Sequence, residues 1–350
     1  MKRATLVTQN ARAYLTQRRA VLVLAALLLA LLLAAFIALT LGPEPIAARA
    51  LFKGLAAELF DLPAKFSPEH EAIIFQVRLP RIGLALAVGA ALALAGAAFQ
   101  ALLRNPLADP HVLGISSGAA LGAIVGIVFA QQLGVSLLLC RSVCGFGGAL
   151  LTSLAVYRLG RREDDPARLV LAGVIVSVFL SSLNVLTLAL VNDMQLRSIT
   201  LWLLGDLASG TVEGLLFVAA AVMVGGVLLM TQARALNLLM IGERDAFALG
   251  VETARVRWMV FAAASLLTGA AVSTSGSIGY VGLLTPHLVR MAAGADNRLA
   301  LPASALAGAL LALIADTIAR TVLAPTELPT GAITALLGAP LFIYLLLRNR

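Results

Sequence analysis

The sequence predicts an all-α integral membrane protein of about ten transmembrane helices, and three observations predict it. Apolar residues make up 60% of the 350 and charged ones only 13%, against roughly 45–50% and 25% in an ordinary soluble domain. Apolar runs free of ionised side chains recur along the chain, long enough for a hydrocarbon core of ~30 Å at about 1.5 Å per residue. Irregular backbone facing lipid would leave amides and carbonyls unpaired at several kcal/mol each, so these runs, rich in Ala and Leu, read as helices.

Taken in order, the first span is 21–41, preceded by Lys2, Arg3, Arg12, Arg18 and Arg19. A signal peptide is the alternative, but the apolar run exceeds the usual core of about 7–15 residues and lacks a convincing cleavage site. The second span, 82–103, is marked at both ends. Arg78-Leu-Pro-Arg81 precedes it, Arg104-Asn-Pro-Leu-Ala-Asp-Pro110 follows it, and the 22 residues from Ile82 to Leu103 carry no charge. Apolar runs place further spans at 112–131, 135–156, 168–190, 212–231, 256–275, 301–319 and 331–347. Between these, 278–294 also reads as a crossing, although Gly276, Gly279, Gly282 and Pro286 interrupt it and leave only a short apolar piece after the proline. That spacing predicts a broken helix that faces the bundle interior and acts as a hinge, because a break is tolerated only where protein or a water-lined path satisfies the freed backbone groups.

With the N-terminus inside and ten crossings, 18 of the 26 Lys and Arg fall on the inner side and 8 on the outer. The positive-inside rule supports this orientation, with both termini cytoplasmic, residues 1–20 forming an inner segment and 42–77 an outer one. Inner loops meeting anionic lipid account for the formal charge of +8, and no nucleic-acid partner is indicated.

Shifting the chain by 180 residues aligns Val88–Pro106 with Thr268–Pro286, pairing Gly89 with Gly269, Gly96 with Gly276 and Pro106 with Pro286. A shift of five spans reverses the direction of travel, so the reading is an inverted internal repeat. Its Gly- and Pro-interrupted segments, 104–118 and 276–294, point to a transport path.

Catalytic machinery is not visible. The lysines are Lys2, Lys53 and Lys65, none after a glycine, so a P-loop for ATP is excluded. His70, His111 and His287 lack zinc-site spacing, and no Gly-x-Ser-x-Gly elbow occurs, so no metal site is assigned. His287 reads as a helix-terminal imidazole on a backbone carbonyl, with an intramembrane ligand as the alternative. Cys140 and Cys144, four apart, read as buried thiols, and a disulfide is the alternative. Asp316 and Arg320, also four apart, share a helix face and read as an ion pair facing the bundle, with a functional intramembrane carboxylate as the alternative.

These residues resemble a known family, the FecCD-like permease subunits of bacterial ATP-binding-cassette importers for ferric siderophores, haem and vitamin B12. The resemblance covers almost the whole chain beyond Arg78. It is carried by Arg78-Leu-Pro-Arg81, by Asn105-Pro-Leu-Ala-Asp-Pro110 with Gly114, and by Gly276-Ser-Ile-Gly-Tyr-Val-Gly-Leu-Leu-Thr-Pro-His287 with Arg290. Asp316 with Arg320, Glu327-Leu-Pro-Thr-Gly331 and Gly338-Ala-Pro-Leu-Phe342 complete it. Departures lie at Cys140-Arg141-Ser-Val-Cys144 and in 42–77. The resemblance implies a single permease domain over 1–350 in the bacterial inner membrane, a second copy of the chain around a central path, two cytoplasmic ATPase subunits that hold the ATP, and a periplasmic binding protein. No cofactor would be bound by this chain. General likeness over Arg78 to Gly118 leans the cargo towards haem.

The resemblance places Arg78, Arg81 and Arg320 where family arginines meet glutamates of the binding protein. Arg78 and Arg81, three apart, share a helix face, and a guanidinium takes a carboxylate bidentately; anchoring to lipid phosphate is the alternative. The inner loop 232–255 reads as two short helices ending at Gly242 and Gly250. The resemblance makes it the ATPase coupling element, with Leu238, Gly242, Glu243, Asp245, Ala246 and Gly250. In the fifth span Ser177, Ser181 and Asn184 repeat at helical spacing, to be read either as a weakly polar path or as interhelical glue. Two other functions compete: a secondary transporter driven by protons or sodium, which the repeat and Asp316 would also suit, and an intramembrane hydrolase, which lacks paired catalytic groups.

Overall fold

The computed structural model describes residues 16–60, 66–160, 166–208 and 210–348; positions 1–15 of the expected inner segment and 61–65 of the outer one lie outside these. The described residues form helices and connecting turns. In chain order the helices are α1 (Gln17–Thr40), α2 (Ala48–Leu59) and α3 (Pro68–Glu71), which runs through a π-helical stretch at Ala72–Arg78 into α4 (Leu79–Leu102). Then come α5 (Ile115–Leu133), α6 (Leu137–Gly160), α7 (Pro166–Leu188), α8 (Asp193–Leu203), α9 (Val212–Thr231), α10 (Ala233–Ile241) and α11 (Glu243–Ala248). The last four are α12 (Thr253–Ser275), α13 (Val281–Ala293), α14 (Asn297–Thr321) and α15 (Thr330–Arg348).

All ten expected spans fall on helices, and seven described helices are long and apolar enough to cross a membrane. α13 is the exception in kind: its 13 residues reach about 20 Å, less than a hydrocarbon core of ~30 Å. The outer segment is more ordered than a connecting loop. It holds α2, and the second crossing begins at Pro68 rather than 82 because the π-helical stretch carries the helix on without a stop. The segment between the fifth and sixth spans also holds a helix, α8, started by a reciprocal capping box between Asn192 and Gln195.

α4 is the central post, buried along almost its whole length against α9, α12, α13 and α14. Without a hydrophobic force between helices in lipid, close backbone approach supplies the packing. A Cβ built on Gly89 would lie 2.3 Å from the Gly308 carbonyl oxygen, and one on Gly96 1.8 Å from that of Gly282. The α5–α6 seam repeats the device every four residues, where Gly118, Gly122 and Gly126 press on the carbonyls of Gly148, Cys144 and Cys140. Both cysteines are free thiols.

The two stretches paired by the 180-residue shift differ in local structure. Val88 to Leu102 is unbroken helix, whereas its shifted counterpart leaves the helical state between Gly276 and Tyr280. The glycines that kept register are contact points: Gly96 meets Gly282, and Gly89 meets Gly308.

Candidate functional site

At the N-terminal end of α4 three arginines gather beneath the C-terminal end of α1. Arg81 is buried, and its guanidinium takes both carboxylate oxygens of Asp316 through Nε at 3.0 and 3.1 Å, with Nη2 at 2.9 Å. Its Nη1 donates to Glu327 at 2.9 Å. Asp316 is fully buried and also lies 3.4 Å from the Thr330 hydroxyl. Arg78 donates to the carbonyls of Leu39 and Glu44, and Arg320 to that of Ala38. The last carbonyls of a helix have no partners within it and carry the negative end of its dipole, so two guanidiniums there pin α1 to the bundle.

The three arginines expected to meet the binding protein are turned inward within this chain. Arg78, Arg81 and Arg320 are 3%, 6% and 3% exposed in this chain, and the first two part company, one to α1 and the other to α14 and Glu327. Asp316 and Arg320 do face each other, but at 3.9 Å, so Arg81 is the principal partner. Glu327, noted in sequence only as part of a motif, is the third member of the cluster.

Midway along α4 the chain breaks as its glycines predict. α12 stops at Ser275; Gly276 and Tyr280 take left-handed backbone at φ +69° and +66°, and α13 starts at Val281. The freed backbone groups find partners from two distant loops. The Asp206 N–H donates to Ser275 O at 2.8 Å, and His111 Nε2 sits 3.1 Å from Ile278 O. The Asn105–Pro110 loop thus meets the break, through the residue that follows it. The four expected hinge residues differ in kind. Gly276 is locked, since a Cβ there would lie 2.0 Å from Trp202 O; Gly282 packs on α4; Gly279 faces open space; and Pro286 sits inside α13. His287 is also inside α13 rather than at its end, its ring edge-on to Phe342 at 5.9 Å.

At the C-terminal end of α4, the loop after α9 folds into α10 and α11, the two short helices its glycines predict. Gly250 has φ +84° and ends the pair in left-handed backbone, while Gly242 at φ 169° is extended, so it is a joint and not a left-handed stop. Ala246 is buried, Leu238 packs on the core, and Glu243 pairs with Arg257 of α12. Asp245 is exposed, and so are Ile241, Phe247 and Leu249, at 69%, 72% and 65%.

On α7 the hydroxyls join helices. Ser177 and Ser181 each lie 3.3 Å from the Ser117 hydroxyl of α5, and Asn184 donates to Ser117 O at 3.2 Å. Ser181 stays exposed beside a face of Leu171, Ile175, Val178 and Val185 that nothing among the described residues covers.

The profile of the FecCD transport family matches residues 27–348. The chain is 44% identical over 283 residues to the hemin transport system permease protein HmuU of Yersinia pestis, covering 79% of this chain and 84% of that one. It is 37% identical over 355 residues to the cobalamin import system permease protein BtuC of Halobacterium salinarum, covering 91% and 93%. Among solved structures, a metal-chelate type ABC transporter in an inward-facing conformation matches with a TM-score of 0.82 at 36% identity, covering 93% of this chain and 98% of that one.

Proposed function

The chain belongs to the FecCD transport family, and on that footing we propose that it is the membrane permease of an ATP-driven importer for haem or a related iron chelate or corrinoid. It works as two copies around a central path in the bacterial inner membrane, with both termini cytoplasmic. Two cytoplasmic ATPase subunits bind the ATP, a periplasmic binding protein delivers the cargo, and this chain holds no cofactor. The observation that carries the reading is the α10–α11 pair. Three large apolar side chains stand exposed on a compact, ion-paired pair of short helices between two spans, which fits a surface built to be covered by a protein.

The end where α4 begins is then periplasmic. Docking there through Arg78, Arg81 and Arg320 requires them to exchange internal partners for carboxylates of the binding protein. Arg320, whose Nε is buried without a hydrogen bond, loses least in that exchange. The cargo path runs along the uncovered face of α7, with Ser181 on it, and the break at 276–280 serves as the hinge.

The test is ATP hydrolysis by the assembled complex in lipid, with haem, a ferric siderophore and cobalamin each presented by its binding protein. One cargo is expected to stimulate hydrolysis, and Phe247→Glu with Leu249→Glu to abolish ATPase association. Uptake that runs on a proton or sodium gradient without the ATPase overturns the proposal.

A further inference from the structure

A part-buried polar relay joins the α10 helix to the broken helix α13. Asn237 of α10 accepts at Oδ1 from both the backbone N–H and the side-chain Nδ2 of Asn297, each at 2.8 Å, and its own Nδ2 donates to Asp296 at 2.8 Å. Those partners fix the amide's orientation, because a flipped amide would set a donor against two donors. Asn297 is fully buried, and its Oδ1 accepts from Arg290 Nη2 at 2.9 Å. Arg290 lies on α13; the same Nη2 donates to Ala97 O of α4 at 3.1 Å, and Nη1 to Ala295 O at 3.1 Å.

We infer that Asn237, Asn297 and Arg290 are positioning residues that carry movement of the α10–α11 pair to α13 and so to the break at Gly276–Tyr280; this rests on the importer reading above. The contacts have the right form for the task. Asn237 grips the turn between α13 and α14 by three hydrogen bonds and reaches α13 through Asn297 and Arg290, both of which also meet the Met240 sulfur of α10. Left-handed backbone at Tyr280 ends the helical hydrogen bonding between α12 and α13, so the two are separate rods joined at the break. A pull on α10 therefore reaches α13 as a displacement against the post α4, where the Arg290–Ala97 bond is the sliding contact. A hydrogen-bonded network centred on one buried amide, Asn297, is strong when every member is satisfied and weak when that amide is removed.

The test uses the complete transporter in lipid with Cys140→Ser and Cys144→Ser as background and Gly279→Cys as the reporter, a position where an added side chain meets open space. In the parent, ATP is expected to change the reporter's reaction rate with a small aqueous thiol reagent by about tenfold, in the range of ordinary coupling between sites. Asn297→Ala, away from the ATPase-facing side chains, is expected to keep ATPase association and cut that change below about twofold. The swap Asn237→Asp with Asp296→Asn, which keeps the acceptor for Asn297 and reverses the 237–296 hydrogen bond while giving up one acceptor for Arg298, is expected to bring most of the change back. If Asn297→Ala keeps the full change, or if the swap behaves like a broken relay while the ATPase still associates, the relay is wrong and the importer reading stands. A parent with no ATP-dependent change overturns the relay together with the hinge.

Discussion

At the residue scale, the sharpest consequences come from the buried charges. Removing one partner of a buried pair leaves the other uncompensated, at a cost of about 3–5 kcal/mol, so Asp316→Ala should lower the thermal unfolding midpoint far more than Glu327→Ala. Glu327 is 36% exposed at its side chain, and its loss should cost about 1 kcal/mol or less. Midpoints in detergent that fall equally would mean that Arg81 does not depend on Asp316. Arg78→Glu with Arg81→Glu should likewise unfold this end of the chain, and not merely weaken docking, because both side chains are buried among acceptors. Asp296 gives a pH signature. Its hydrogen bond from Arg298, helped by Asn237, holds its carboxyl below the ordinary 3.8, at about 2. Since the folded value is depressed, the stabilisation is present above pH 3.8 and is lost as pH falls towards 2. The advantage of the parent over Asp296→Asn in thermal melts should therefore be present at pH 5 and vanish near pH 2.

At the scale of elements, backbone conformation separates glycines that the sequence presents alike. Gly276 combines φ +69° with a carbonyl 2.0 Å from any added Cβ, so Gly276→Ala should cost about 3 kcal/mol and reduce folded yield. Gly279→Ala, in open space, should melt like the parent, and a fall at both positions would show that the segment tolerates no side chain at all. The pair Gly242→Val and Gly250→Val divides the same way. Extended backbone at Gly242 accepts valine once the Asp245 side chain yields, whereas left-handed backbone at Gly250 does not, and ATPase co-purification should drop for Gly250→Val first. The same local physics explains what pattern reading passed over. The Asn192–Gln195 capping box and the Gly118, Gly122, Gly126 stripe are explicit signals in sequence, but the long apolar runs around them dominate a search for spans.

At the scale of the whole molecule, the proposed topology has ten spans, which puts both ends of the chain on one side of the membrane, and the positive-inside rule favours the cytoplasm for that side. Reporter fusions at 348 and within 232–255 should be active in the cytoplasm, and one within 190–211 only outside it; a reversed pattern would turn the proposed importer over. The order of the apolar spans, the break before Val281 and the paired short helices before Thr253 were legible because each depends on neighbours within a few turns: apolar run length, glycine and proline spacing, and flanking charge. The arrangement of the candidate site was not. Arg81 meets a carboxylate 235 positions away, Asn237 meets Asn297 on another helix, and Ser177 and Ser181 converge on Ser117. A local pattern says that a side chain is charged and lies on a certain face, but not what the opposite helix sets against that face. Local composition alone therefore determined which segments leave water and where the chain must bend. Only the tertiary structure decided that the outer arginines are turned inward, because the free energy of a buried charge is set by the partners that packing brings to it.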